Sequence, residues 1–286
     1  MNKINKLTLG DKAFPAALLN IAQPPKQLYV LGDISPLTGK TVVSIVGSRA
    51  VTPYGKQVTT QLTRDLAKQG IAIVSGLALG VDGLAHQAAL EVGGYTVAVL
   101  ACGLDRFYPS AHHQLAKQIL AQGGAIISEY PEGTEPYKLN FIERNRIVAG
   151  LCDGLLITEA AERSGTLHTA NFALEQGKTV MAVPGNITSS NSRGTNNLIK
   201  TGAAPITSVD DILHALNLNQ QTELISVVAA NPEEALIINL LQSGTTDVNE
   251  LQAASKLSPE LFNQTLTMLE ITGKIRPLGA AQWGLM

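Results

Sequence analysis

The sequence predicts an α/β protein, a doubly wound parallel sheet followed by a small C-terminal winged helix, on three observations. From residue 41 to about residue 216, short apolar runs rich in β-branched residues alternate with amphipathic stretches, the pattern of βα units around a parallel sheet. Many of those amphipathic stretches close on glycine, as helices do. Beyond a polar stretch, residues 231–286 change to three short helix patterns and a terminal pair of strand patterns.

Each element has its own signal. Residues 1–40 read as a lead-in packed on the core. Strand patterns follow at Thr41–Val46, Ile71–Val74, Thr96–Ala101, Ala125–Ser128, Leu155–Thr158 and Thr179–Val183, with a further one at Pro205–Thr207. Their continuous apolar character fits strands buried on both faces. Helix patterns at Val58–Gln69, Leu84–Glu91, Gln114–Gln122, Phe141–Gly150 and Leu167–Gln176 fill the intervals. Residues 41–216 therefore form the main domain, and the Asn, Gln, Thr and Ser enrichment that follows marks a linker over 217–230.

The last segment, 231–286, opens on Asn231-Pro232-Glu233-Glu234, a helix start with a cap, Pro at the first position and acids in the first turn. Further starts at Asp247 and at Ser258-Pro259-Glu260 complete three helices. Lys274–Leu278 and Gln282–Leu285, joined through Gly279-Ala280-Ala281, make a two-stranded wing. Winged helices often read DNA through the third helix. Here that helix, Ser258 to Thr272, holds Glu260 and Glu270 and no base. A protein-contact or structural module is expected instead, because duplex binding depends on positive charge.

Composition narrows the function. With 45% hydrophobic and 15% charged residues, the 286-residue chain can build a sizeable core and is not disordered. Aromatics at 4% advertise no stacking platform for bases. Cys102 and Cys152 lie in apolar runs without a CxxC partner, which points to a reduced, cytoplasmic protein with two core thiols and not to a disulfide scaffold or zinc site. The first 20 residues carry Lys3, Lys6, Asp11 and Lys12 and no apolar h-region, so no signal peptide is expected. No apolar run is long enough to span a bilayer, and no membrane partner is expected. Residues 222–286 hold seven acids and three bases, a balance of −4, whereas the first 221 carry 18 bases and 16 acids, a balance of +2. Any nucleic-acid surface is therefore expected in the first part.

The candidate site begins where the run Val43-Ser44-Ile45-Val46 stops on Gly47-Ser48-Arg49. Ligands of open α/β sheets sit in the crevice at the carboxyl ends of the strands. Gly47 lets a backbone come close, Ser48 can donate and accept hydrogen bonds, and Arg49 offers a fork for a phosphate. Similar loops follow the other strands: Ser75 to Asp82, with Gly76 and Gly80; Gly103 to Pro109, with Arg106; Ser128 to Gly133; Glu159 with Ser164-Gly165-Thr166; and Pro184-Gly185-Asn186. One such glycine is merely a turn residue, but five or six on one sheet edge describe a polar rim. The Ser164-Gly165-Thr166 turn, opening a helix, can also present backbone N–H groups to a phosphate.

The basic constellation is Phe141-Ile142-Glu143-Arg144-Asn145-Arg146-Ile147, with Lys138 just upstream. On a helix Arg144 and Arg146 stand about 200° apart, so one is expected on the ligand side and the other in a carboxylate pair, with Glu143 or Glu159. Lys138 can reach a backbone phosphate, or simply be solvated.

Enzyme signatures fail. There is no G-x-G-x-x-G and no G-x-S-x-G. Gly39-Lys40-Thr41 ends like a P-loop, but Ile34 stands where its first glycine belongs and the segment precedes a strand. The five histidines, His86, His112, His113, His168 and His214, lack metal-ligand spacing. No cofactor, metal or catalytic residue is expected. Glu129 and Glu159 could serve as an acid–base pair, or hold arginines in place.

Taken together these motifs resemble the DNA-processing protein family DprA, also called Smf. The resemblance runs from Phe14-Pro15, Pro24-Pro25 and Leu28-Tyr29-Val30-Leu31-Gly32 through the loops above to Val183-Pro184-Gly185 and Gly194-Thr195-Asn196-Asn197-Leu198-Ile199. It implies an extended Rossmann-like, mostly parallel sheet, a homodimer, and binding of single-stranded DNA without catalysis. It also implies protection of incoming strands and their transfer to the recombinase RecA in natural transformation, with a winged helix as a common C-terminal addition. The expected DNA-binding residues are Gly47, Ser48, Arg49, Gly76, Gly80 and Arg106, then Lys138, Arg144, Asn145 and Arg146, then Ser164, Gly165 and Thr166.

Three departures are visible. Many members begin with a small helical domain, which is not read here. Ile142 stands where the family often has Pro, and Ser110 where a basic residue often follows Tyr-Pro. The alternative is a nucleotide-binding or nucleoside monophosphate-cleaving Rossmann-like enzyme. Such enzymes resemble this chain at Glu162 to Thr169, but Thr169 replaces their catalytic Glu.

Overall fold

The computed structural model describes residues 3–218, 229–279 and 281–285. Two compact units divide the chain, Met1–Leu218 and Asn219–Met286.

The first unit is built on strands β3 (Val42–Val46), β4 (Ala72–Ser75), β5 (Thr96–Leu100), β6 (Ala125–Ser128), β7 (Gly154–Ile157), β8 (Thr179–Ala182) and β9 (Ala204–Pro205), with every neighbouring pair among them parallel. The lead-in adds two strands, β1 (Asn5–Thr8) and β2 (Gln27–Gly32), each paired antiparallel. The sheet order is β1-β2-β6-β5-β4-β3-β7-β8-β9. It makes an extended Rossmann-like, mostly parallel sheet whose order reverses on either side of β3. The crevice between the carboxyl ends of β3 and β7 is therefore the topological switch point.

Helices α1 (Pro53–Lys68), α2 (Val81–Glu91), α3 (His113–Ala121), α4 (Lys138–Leu151) and α5 (Thr166–Glu175) fill the expected intervals. Alternation along β3 sends Val43 and Ile45 to one face with Leu62 and Leu66 of α1, and Val42 and Val46 to the other with Ile147, Val148 and Leu151 of α4. Both faces are thus covered, which explains the largely apolar runs. Two helices have weak sequence signals: α6 (Arg193–Lys200), which is largely polar, and α7 (Val209–Ala215), started by a Ser208–Asp211 capping box.

The second unit packs α8 (Pro232–Gln242), α9 (Val248–Ser255) and α10 (Pro259–Ile271) with the hairpin β10 (Ile275–Gly279) and β11 (Gln282–Leu285). Its own core centres on Ile237, Leu251, Phe262, Leu269 and Ile275. Asn231 Oδ1 accepts the Glu234 N–H at 2.8 Å and caps α8. Of the linker expected over 217–230, residues 219–228 lie outside the described residues, as does Ala280 of the wing turn, while Leu218 still packs on the core of the first unit. Among the described residues no helix is long and apolar enough to cross a membrane.

Candidate nucleic-acid interface

The site is organised around the end of β3. A Cβ on Gly47 would sit 2.6 Å from Val81 Cγ2 and 2.8 Å from the Glu159 carbonyl oxygen, so only glycine lets the chain leave the sheet here. The Ser48 N–H donates to Glu159 O at 2.7 Å, and Ser48 O accepts from the Val81 N–H at 3.1 Å. Thr166 Oγ1 donates to Gly47 O at 3.0 Å. These bonds clamp Gly47-Ser48 between the end of β7 and the starts of α2 and α5.

A crevice of about 750 Å³ opens there. Nine of the thirteen predicted residues line it: Gly47, Ser48 and Arg49 just after β3, Lys138, Arg144 and Asn145 from α4, and Ser164, Gly165 and Thr166 at the start of α5. Helix α5 points its N-terminus, the positive end of its dipole, at this space. Arg49 stacks over Phe141, with its guanidinium carbon 5.6 Å from the ring centroid. Among the described residues no carboxylate forms an ion pair with Arg49 or Lys138.

The other four predicted residues lie elsewhere. Arg106 is held on the surface by Glu135 and Asp105. Arg146 makes a two-pronged pair with Glu129, at 2.6 and 2.7 Å, and donates to Gln23 O at 3.0 Å. Burial alone would depress the Arg146 guanidinium, but the bonds to Glu129 outweigh it and hold it above its usual value. The expected partner, Glu143 or Glu159, is thus replaced by Glu129, which the end of β6 brings opposite α4. Glu159 instead accepts the Thr52 N–H at 2.9 Å and secures the start of α1. Gly76 and Gly80 lie behind the crevice wall, where a Cβ on Gly80 would overlap the Ser48 carbonyl oxygen.

Aromatic residues were not expected from composition, yet Tyr108 and Phe141 meet at the crevice with ring centroids 5.5 Å apart. The signal that could have found them is their position inside the Tyr108-Pro109 and Phe141 to Ile147 motifs. His168 and Thr169 also line the space. Among the described residues no group of His, Cys, Asp and Glu side chains could hold a metal ion.

A family model for "DNA recombination-mediator protein A" matches residues 5–217, and one for the "DprA winged helix domain" matches residues 226–280. DNA processing protein DprA of Bacillus subtilis is 41% identical over 213 residues, 74% of this chain and 71% of its own length. Protein Smf of Escherichia coli is 45% identical over 203 residues, 71% of this chain and 54% of its own length. The solved structure of DNA processing protein A from Helicobacter pylori, described for its single-stranded DNA binding mode, aligns with a TM-score of 0.67 at 37% identity, over 76% of this chain and 98% of that one.

Proposed function

The chain belongs to the DprA/Smf family of DNA recombination mediators, and on that premise we propose that it binds single-stranded DNA in the switch-point crevice without catalysis. The observation that carries this reading is Arg49, a permanently charged side chain at the crevice with no carboxylate partner among the described residues. Such a cation is suited to a backbone phosphate, and a phosphate contact is indifferent to base sequence. Tyr108 and Phe141 supply apolar faces against which a base can stack. By the family's role, the protein acts in the cytoplasm as a homodimer, protects incoming strands and passes them to RecA during natural transformation.

The non-enzymatic reading rests on Thr169. Thr169 lines the crevice where a nucleoside monophosphate-cleaving relative would need a carboxylate, and a threonine hydroxyl is no general base at neutral pH. A salt-dependent titration with a labelled single strand and its duplex tests the proposal. Tighter binding of the single strand, weakening as salt rises, is expected; equal or tighter binding of the duplex overturns it.

A further inference from the structure

Arg144 belongs to the basic motif and borders the crevice, yet only 4% of it is exposed. Three of its five N–H groups are committed elsewhere. Nη1 donates to the carbonyl oxygens of Gly76, at 2.7 Å, and of Val99, and Nε donates to Asn145 Oδ1 at 3.2 Å. One guanidinium thus ties the carboxyl ends of β4 and β5 together.

Asp82 holds the same loop from its other side. Its Oδ2 accepts the N–H groups of Gly76, at 3.0 Å, and Ala78, at 3.4 Å. A Cβ on Gly76 would lie 2.6 Å from Arg144 Nη2 and 2.7 Å from Asp82 Oδ2, so the two side chains close on the Gly76 backbone like jaws. Between them the chain adopts a conformation it would not hold unaided. Leu77, fully buried, has a φ of +58°, and a left-handed leucine persists only where its surroundings over-determine it. Its carbonyl oxygen lies 2.8 Å from His112 Nδ1.

The loop in turn carries the site. At its end Gly80 packs on the carbonyl groups of Ser48 and Arg49, with no room for a side chain, and Val81 donates to Ser48 O. We infer that Arg144 and Asp82 are positioning residues, not phosphate ligands: they lock the Gly76–Gly80 loop, and the loop sets the backbone from which Arg49 projects. This inference deepens the proposed crevice reading and rests on it.

The experiment compares Arg144→Lys, Asp82→Asn and Arg49→Ala in the full chain, with Arg144→Ala as a control. Each is titrated with labelled dT20 over a range of salt, well below its own melting temperature, and amide exchange is followed over Gly76–Gly80. Arg144→Lys keeps the charge but not the fork, and Asp82→Asn keeps the shape but weakens the acceptor. Both should bind about tenfold or more weakly with the wild-type log–log salt slope, and both should exchange the Gly76 and Ala78 amides faster. Arg49→Ala should instead lower the magnitude of the slope by about 0.7, the share of one phosphate contact on a single strand. Wild-type affinity in folded Arg144→Lys and Asp82→Asn would overturn the positioning role. So would a lowered slope in Arg144→Ala with the Gly76 and Ala78 amides still protected, because that variant would then have lost a phosphate contact and not a tether. Wild-type slope and affinity in Arg49→Ala, with faster exchange in the other two, would defeat the crevice reading while leaving the loop tether in place.

Discussion

The Arg49 guanidinium carbon lies 5.6 Å from the centroid of the Phe141 ring, so the cation is oriented by an aromatic face and not by an acid. The acids that could have claimed it are occupied: Asp82 by the Gly76 and Ala78 N–H groups, and Glu129 by Arg146. Arg49→Ala should therefore weaken single-strand binding uniformly across base sequences while leaving the melting temperature within about a degree of wild type, as expected for a side chain whose removal unpairs no buried charge. A large drop in melting temperature would show a structural role instead.

Phe141→Leu keeps an apolar side chain but removes the π face. It should cost about 0.5–1 kcal/mol of binding through the lost cation–π contact, plus any base stacking. Double-mutant cycles with Arg49→Ala check this, because the two losses should not add.

Arg146→Ala should act on stability. It leaves Glu129, mostly covered by protein, without its partner, and breaking such a pair costs about 3 kcal/mol. The urea midpoint should fall, while single-strand affinity of the folded protein stays within about threefold. A tenfold loss of affinity in folded protein would place Arg146 in the interface after all.

His86 predicts an acid limb. It is fully buried; Thr96 Oγ1 donates to Ile73 O and so accepts from His86 Nδ1, at 2.7 Å, while Nε2 has no partner among the described residues. Burial, then the nearby His112 and Arg144, depress its pKa from 6.5 to about 3. The unfolded chain binds this proton more readily, so the stability that neutral His86 contributes is present above about pH 6.5 and is lost progressively as pH falls toward about 3. His86→Gln should flatten melting temperature against pH between about 6.5 and 4, and an unchanged profile would refute the assignment.

Deleting residues 222–286 should leave single-strand binding largely intact, because that segment carries a balance of −4 and α10 has no base. A loss of tenfold, about 1.4 kcal/mol, would give the winged helix a direct part in binding.

The parallel sheet was legible because strands buried on both faces must be largely apolar, as Val42 to Val46 are apart from Ser44, whose hydroxyl donates to Val148 O. The winged helix was legible because caps such as Asn231 and Ser258 are local chemistry. The lead-in strands were harder to read, since Asn5–Thr8 is an edge strand, mostly exposed, with no apolar run. Helix α6 was missed for a different reason: the residues it buries, Gly194 and Thr195, are not large apolar ones.

Within the site, the sequence by itself determined which residue types stand at the strand ends: a glycine for close approach, a hydroxyl, and cations in the segment that became α4. It could not divide labour among Arg49, Arg144 and Arg146, because an isolated guanidinium suits a phosphate, a carboxylate and a carbonyl oxygen equally well. Only the tertiary structure decided that, by what it placed within reach: Phe141 beside Arg49, Glu129 opposite Arg146, and the carbonyl oxygens of Gly76 and Val99 around Arg144. These partners lie from 17 to 92 residues away in sequence. Local spacing holds no record of such distances, and it is burial that makes the pairings of Arg144 and Arg146 obligatory.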